Sequence, residues 1–287
     1  MNNYENLGIP DSGLMYHKVL PHQNSLSEFR KTLNFFDEII DKRFYPNISL
    51  DSNNDIKIQF INYGDTQLVY ILYIGNKKYT MLVGQPSAKF GTVKKEYDNL
   101  NVLSLKNPNT VIHPINYVCN KDRELYFSPY LMQARCIASQ DLGWGIYIPE
   151  PRYHFKSFCI EDNEKSIVNS CIIATLIKLF NSDLNLGLSA CKIGGGDFIL
   201  EKEWSNEKLS HENTLKRLKL IAARELIKIN LEDYIELIRF EFSKRTYYTD
   251  ESSRDKSIII NTKSRVSMTK NEIEEGILLG RELRKYN

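Results

Sequence analysis

The segment CKIGGGDFIL, residues 191–200, combines a glycine run with a carboxylate and a short apolar stretch. Asp197, held by a rigid turn, is a hard oxygen ligand of the kind that magnesium prefers, and Glu201 is the next acid along the chain. The backbone of Gly194 to Gly196 could instead form an anion-binding nest, although the carboxylate repels phosphate unless a metal intervenes. The third interpretation is a turn in which Asp197 caps its own backbone. A P-loop is excluded, because GxxxxGK[ST] is absent.

A second segment with chemical potential is WGIYIPEPRYHFKSF, residues 144–158. Two prolines stiffen it, and aromatic rings alternate with Arg152, His154 and Lys156. Such a segment can stack on a planar ligand or a base. It can equally be an extended connector whose rings pack inside the protein.

Composition limits the class of protein. The 287 residues are 42% hydrophobic and 26% charged, with a net charge of +2, which is typical of a globular chain and not of a dedicated nucleic-acid binder. The N-terminus lacks the pattern of a signal peptide, and no apolar run approaches 18 residues. We therefore expect a soluble, cytoplasmic protein with no membrane partner. Five cysteines without paired spacing favour reduced thiols over disulfides or zinc.

The predicted elements change in character along the chain. In the first half, hydrophobic spacing and turn signals predict a helix, three strands, a helix and two strands, at 25–43, 55–83, 91–107, 111–120 and 124–132. In the second half, apolar periodicity predicts helices at 163–184, 215–229, 231–245 and 269–287, and only 191–204 has a β-like pattern.

These patterns predict an α+β protein in four parts. Residues 1–50 form an N-terminal helical extension, 51–132 a β-rich part, 133–160 a linker and 161–287 a helical part.

Five short segments follow one another in a telling order: KKEYDNL (94–100), HPINY (113–117), ELYFSPYLM (124–132), IIATLIKLFNSDLNLGL (172–188) and GGDFIL (195–200). In order and pattern they resemble the protein kinase and aminoglycoside phosphotransferase superfamily, over about residues 55–200. KKEYDNL is similar to the helix that presents a glutamate to the active-site lysine, with Glu96 in that place. It implies a two-lobed kinase-like fold with a β-rich N-terminal lobe and a mostly helical C-terminal lobe.

The resemblance also implies a site for ATP and Mg²⁺. It assigns Glu96 to catalysis, Gly64, Gly195 and Gly196 to nucleotide binding, and Asp197 and Glu201 to the metal. Lys192 would be a rewired catalytic cation, and one of Lys77, Lys78 or Lys89 would contact the phosphates in place of a strand lysine.

Two positions depart from the family pattern. Strand alternation places Leu82 where the family has a phosphate-binding lysine, and leucine cannot hold a phosphate. If Asp197 takes the place of the catalytic-loop asparagine, Lys192 falls where the catalytic aspartate belongs. Asp197 and Phe198 can instead be aligned with the first two residues of DFG. Both alignments stay open.

The expected function follows from these departures. The chain resembles a pseudokinase-type nucleotide- or ligand-binding regulatory module, or a phosphotransferase with relocated residues. Its expected partner is a nucleotide or small molecule, and a protein partner is allowed. The alternative is a non-catalytic α+β protein that binds a peptide or nucleic acid through 144–158, although nucleic acid is disfavoured by the charge balance.

Overall fold

The computed structural model describes residues 5–6, 56–63, 67–74, 77–85, 88–119, 121, 123–129, 135–140, 143–148, 156–159, 162–193, 197–200, 209–243 and 268–285. The strands are β1 (Glu5–Asn6), β2 (Ile56–Tyr63), β3 (Gln67–Ile74), β4 (Lys77–Gly84), β5 (Asn116–Cys119), β6 (Glu124–Pro129), β7 (Arg135–Gln140), β8 (Gly143–Ile148), β9 (Lys156–Cys159), β10 (Leu186–Leu188), β11 (Phe198–Leu200), β12 (Leu218–Leu220) and β13 (Leu226–Lys228). The helices are α1 (Thr92–Lys106), α2 (Asp162–Lys178), α3 (His211–Arg217), α4 (Leu231–Ser243) and α5 (Lys270–Lys285).

The protein is therefore α+β, as predicted. The chain divides into two compact units, one of residues 1–101, 113–130 and 149–154, and one of residues 102–112, 131–148 and 155–287. The identification of these units with kinase-like lobes stays a prediction.

The first unit is built on a six-stranded sheet in the order β1-β2-β3-β4-β6-β5. Alternating β-branched and aromatic residues form the antiparallel β2–β3 and β3–β4 pairs, which confirms the three strands predicted over 55–83. The predicted strands at 111–120 and 124–132 correspond to β5 and β6. Tyr70, Met81 and Tyr126, on three neighbouring strands, are fully buried and form the centre of the apolar core.

Helix α1 confirms the helix predicted over 91–107. Its buried residues Val93, Glu96, Leu100 and Leu103 recur at intervals of three and four, so they lie on one face. Glu96 is the charged member of that face.

In the second unit, α2 is buried along most of its length, because nearly every residue from Val168 to Ile177 is apolar or small. Helix α5 lies against it through two glycines. A Cβ atom added at Gly276 would lie 2.5 Å from the Cβ of Ile173, and one at Gly280 would lie 2.7 Å from that of Ile177. The helices predicted at 163–184, 231–245 and 269–287 are confirmed as α2, α4 and α5.

The prediction of one helix over 215–229 is wrong. Helix α3 ends at Arg217, and the chain continues as β12 and then β13. Pairing with β11 buries Leu218 and Leu220 in a sheet, with Leu200 and Phe198 as their partners in the register. Non-local strand pairing has thus overridden the local helical pattern.

The second unit is also richer in strands than the sequence predicts. One sheet has the order β12-β11-β7-β8-β9 and another pairs β10 with β13, so 191–204 is not the only β segment. Strands β7 to β9 lie in 133–160, the segment predicted as a linker.

Two predictions on the N-terminal region and the linker concern undescribed positions. The helix predicted at 25–43 lies outside the described residues. The same holds for the side chains of 144–158, so the stacking role of that segment stays a prediction. Among the described helices, none is long and apolar enough to cross a membrane.

Candidate functional site

Glu96 lies on the buried face of α1, with 1% of its surface exposed. Its carboxylate accepts a hydrogen bond of 2.9 Å from Nε2 of Gln67 on β3 and one of 2.8 Å from the hydroxyl of Tyr126 on β6. Both donors are neutral and both belong to the sheet of the first unit. Glu96 therefore anchors α1 to the sheet.

The strand position assigned to a lysine in the family carries Leu82, which is buried in β4. Its register partners are Val69 on β3 and Tyr126 on β6, so the position lies inside the sheet, between two other strands. Lys78 and Lys89 are exposed, and they belong to the first unit like Glu96. The side chain of Lys77, the whole of Gly64, and Gly195, Gly196 and Glu201 lie outside the described residues.

Glu124, which the sequence analysis did not single out, is a second buried carboxylate of the first unit. Its oxygens accept hydrogen bonds from the backbone N–H groups of Gly91, Val93 and Lys94, at 3.0, 2.9 and 3.2 Å. The Tyr117 hydroxyl donates a further bond of 3.1 Å. The first N–H groups of a helix have no partner within it and carry partial positive charge, so Glu124 satisfies and neutralises the start of α1.

The environment of Tyr117 agrees with this arrangement. Burial raises the pKa of its hydroxyl well above the usual range, and Cys119 and the charge of Glu124 add to the shift. Tyr117 therefore stays protonated and remains a donor to Glu124.

Asp197 lies in the second unit, directly before β11, and is 1% exposed. Its carboxylate is paired with the guanidinium of Arg224, with Nη2 2.7 Å from Oδ1 and Nη1 3.0 Å from Oδ2. Nη1 donates a charge-assisted hydrogen bond to Oδ2, whereas the Nη2–Oδ1 approach is an ion pair without the geometry of a hydrogen bond. The same Nη1 donates to the backbone carbonyl of Lys192 at 2.9 Å, so Arg224 joins two of the predicted site residues. The side chain of Lys192 is exposed.

Backbone pairing brings Arg224 to this place. The Ile221 N–H donates to the carbonyl of Asp197 at 2.8 Å, which extends the β11–β12 pairing by one step. On the other side, the Ser189 N–H donates to the carbonyl of Glu225 at 2.9 Å. Sequence reasoning missed Arg224 because it assigned the residue to a helix over 215–229.

The donors around Asp197 differ from those of a magnesium site. Mg²⁺ requires nearly octahedral oxygen ligands at about 2.0–2.1 Å. Both oxygens of Asp197 instead lie next to one guanidinium, and the described residues contain no group of three or more histidine, cysteine, aspartate or glutamate side chains that could hold a metal. As arranged, the described donors do not fit a magnesium ion.

Another polar cluster, in the second unit, joins α2, α3 and α5. Ser170 donates to Oε2 of Glu275 at 2.7 Å, and Oε1 of the same carboxylate lies 3.4 Å from Nε2 of His211. The carboxylate lies between the serine and the histidine, so this is not the serine–histidine–acid order of a hydrolase triad. The cluster links three helices.

The thiols of the described residues differ in exposure. Cys119 and Cys191 are exposed, whereas Cys171 is buried on α2, and all three are free. Burial raises the pKa of the Cys171 thiol above its usual range, and the charge of Glu275 adds to the shift. Because the thiolate is the reactive form, Cys171 is a structural residue.

We expect the thiols to react at very different rates. When the folded protein is treated with iodoacetamide at pH 8, peptide mass spectrometry is expected to find Cys119 and Cys191 alkylated before Cys171. Cys171 is expected to react only once the chain is unfolded in urea, which serves as the control. Labelling of Cys171 in the folded protein at the rate of Cys191 would contradict its burial.

Comparison with solved structures adds a likeness to a kinase domain. No family model and no curated protein matches the sequence. Among solved structures, the crystal structure of the BubR1 kinase domain aligns with 73% of this chain and 62% of its own, at 16% identity and a TM-score of 0.39. The match thus spans less than two thirds of that domain. This is a weak likeness to a kinase domain, and it assigns neither a family nor an activity to the chain.

Proposed function

We propose that the chain is a pseudokinase-type module that binds a nucleotide or another small ligand and does not transfer phosphate. One observation carries the proposal. The two carboxylates that the sequence resemblance assigns to the site, Glu96 and Asp197, are each hydrogen-bonded to side chains of this chain that leave no conventional catalytic role for them.

Glu96 supports the proposal through its partners. In an active kinase this glutamate positions a lysine that contacts the phosphates. Here the corresponding strand position is the buried Leu82, and the Glu96 carboxylate is satisfied by Gln67 and Tyr126. A carboxylate that accepts from two neutral sheet residues stabilises the packing of α1, and leucine at the strand position of the family's lysine contacts no phosphate.

Asp197 supports it through Arg224. Phosphoryl transfer in this superfamily depends on metal ions that neutralise the developing charge. The charge of Asp197 is already neutralised by a guanidinium at 2.7 and 3.0 Å. This arrangement favours a binding module over a phosphotransferase.

The test combines binding with catalysis. We expect the non-hydrolysable analogue AMP-PNP to raise the melting temperature in a concentration-dependent way. We expect transfer of the γ-phosphate of radiolabelled ATP, to water or to a general protein substrate, to be the same in wild type and in Asp197→Asn. Transfer that is lost in Asp197→Asn would show instead a phosphotransferase with relocated residues. No thermal shift with AMP-PNP would contradict the nucleotide as ligand.

A further inference from the structure

The position of Arg224 in the second unit goes beyond this proposal. We propose that the Arg224 guanidinium takes the place of a divalent cation at Asp197, so that the module binds an anionic ligand such as a nucleotide without a metal ion. The part on the ligand rests on the proposed function, whereas the part on the metal rests on the geometry alone.

The geometry makes the guanidinium and a metal ion mutually exclusive. Nη1 of Arg224 donates a hydrogen bond of 3.0 Å to Oδ2 of Asp197, and Nη2 lies 2.7 Å from Oδ1, so both carboxylate oxygens lie next to one cation. Asp197 is almost fully buried, and a buried carboxylate must be paired. Arginine is protonated at every ordinary pH, so the positive charge beside Asp197 does not depend on pH.

Arg224 is also fixed in place from both sides along the chain. Three residues earlier, Ile221 is hydrogen-bonded to the carbonyl of Asp197 itself, and the next residue, Glu225, accepts from Ser189. Ala222 and Ala223, between Ile221 and Arg224, are buried. A metal ion would have to displace a side chain whose backbone is held by these contacts. The segment therefore presents the guanidinium to Asp197 as a built-in cation.

The test of the metal part uses manganese alone, titrated into the protein and followed by electron paramagnetic resonance. Wild type is expected to show no saturable site that depends on Asp197. Arg224→Gln is expected to bind Mn²⁺ at least about tenfold more tightly than the non-saturable binding of wild type, because the guanidinium no longer competes for Asp197. The double variant with Asp197→Asn is expected to lose this gain. The control Arg239→Gln removes an arginine that donates two hydrogen bonds to the carboxylate of Glu274, and it is expected to behave as wild type.

Two outcomes of this titration overturn the inference. One is a saturable Mn²⁺ site in wild type that disappears in Asp197→Asn, which is decisive even if Arg224→Gln fails to fold. The other is a folded Arg224→Gln protein with no gain in Mn²⁺ affinity.

The ligand part is tested with AMP-PNP in EDTA and in Mg²⁺. Wild type is expected to show the same dissociation constant in both, and a tenfold or greater tightening by Mg²⁺ overturns the ligand part. Failure of AMP-PNP to bind in either condition contradicts the proposed function, and the manganese titration then decides the metal part separately.

Discussion

Replacing Gly276 by valine is expected to lower the free energy of unfolding by about 2 kcal/mol, since forcing atoms into a filled space costs about 1–3 kcal/mol and the small gain in helix propensity over glycine does not offset that cost. A Cβ atom at this position would lie 2.5 Å from the Cβ of Ile173 and 2.6 Å from the carbonyl oxygen of Ser170. Helices α2 and α5 must therefore separate to admit any side chain. Urea denaturation followed by circular dichroism measures the loss.

Two further variants on the same helix make the result interpretable. Leu278→Ala changes a side chain that is 66% exposed and is expected to alter stability by no more than about 0.5 kcal/mol. Gly276→Ala improves helix propensity by about 1 kcal/mol but introduces the same clash, so a net loss is expected. A gain in stability for Gly276→Ala would show that the helices do not approach as closely as described.

Replacing Glu124 by alanine is expected to cost about 3 kcal/mol, because a buried carboxylate that accepts three backbone N–H groups and a tyrosine hydroxyl is lost. The orphaned donors at the start of α1 would have no partner from β6. The same denaturation experiment measures the effect, and hydrogen exchange of the α1 amides is expected to accelerate with it.

The matched control for Glu124 lies on α1, the helix whose start Glu124 caps. Asp98→Ala removes an exposed carboxylate that pairs with Lys94 one turn earlier, and it is expected to cost no more than about 0.5 kcal/mol. Glu124→Gln keeps an acceptor oxygen without the charge and is expected to fall between wild type and alanine. Equal stability of Glu124→Ala and Asp98→Ala would show that the cap contributes nothing beyond a surface charge.

The sequence predicts those parts of the fold that short-range periodicity controls. The β2–β3–β4 meander follows from alternating apolar residues and turn signals, and α1, α2, α4 and α5 follow from spacing at three and four residues. Strands β12 and β13 could not be predicted in this way, because each has two apolar residues in a stretch whose spacing fits a helix equally well. Only their pairing with β11 and β10, which lie 18 to 42 residues away in register, selects the strand.

The candidate site was also only partly predictable from the sequence. Glu96 and Asp197 could be named from the sequence, but their partners could not. Gln67 and Tyr126 are about 30 positions from Glu96, and Arg224 is 27 positions from Asp197. Glu124 was missed for the same reason, since a cap normally precedes its helix and this one comes from a later strand. A partner that is distant in sequence leaves no local pattern to read.

The two carboxylates of the first unit have a joint consequence for motion. Glu124 reaches from the sheet to the start of α1, and Glu96 reaches from the second turn of α1 back to the sheet. The N-terminal part of the helix is thus held to the sheet from both directions. A switch that works by swinging this end of the helix away from the sheet would have to break both sets of buried bonds together.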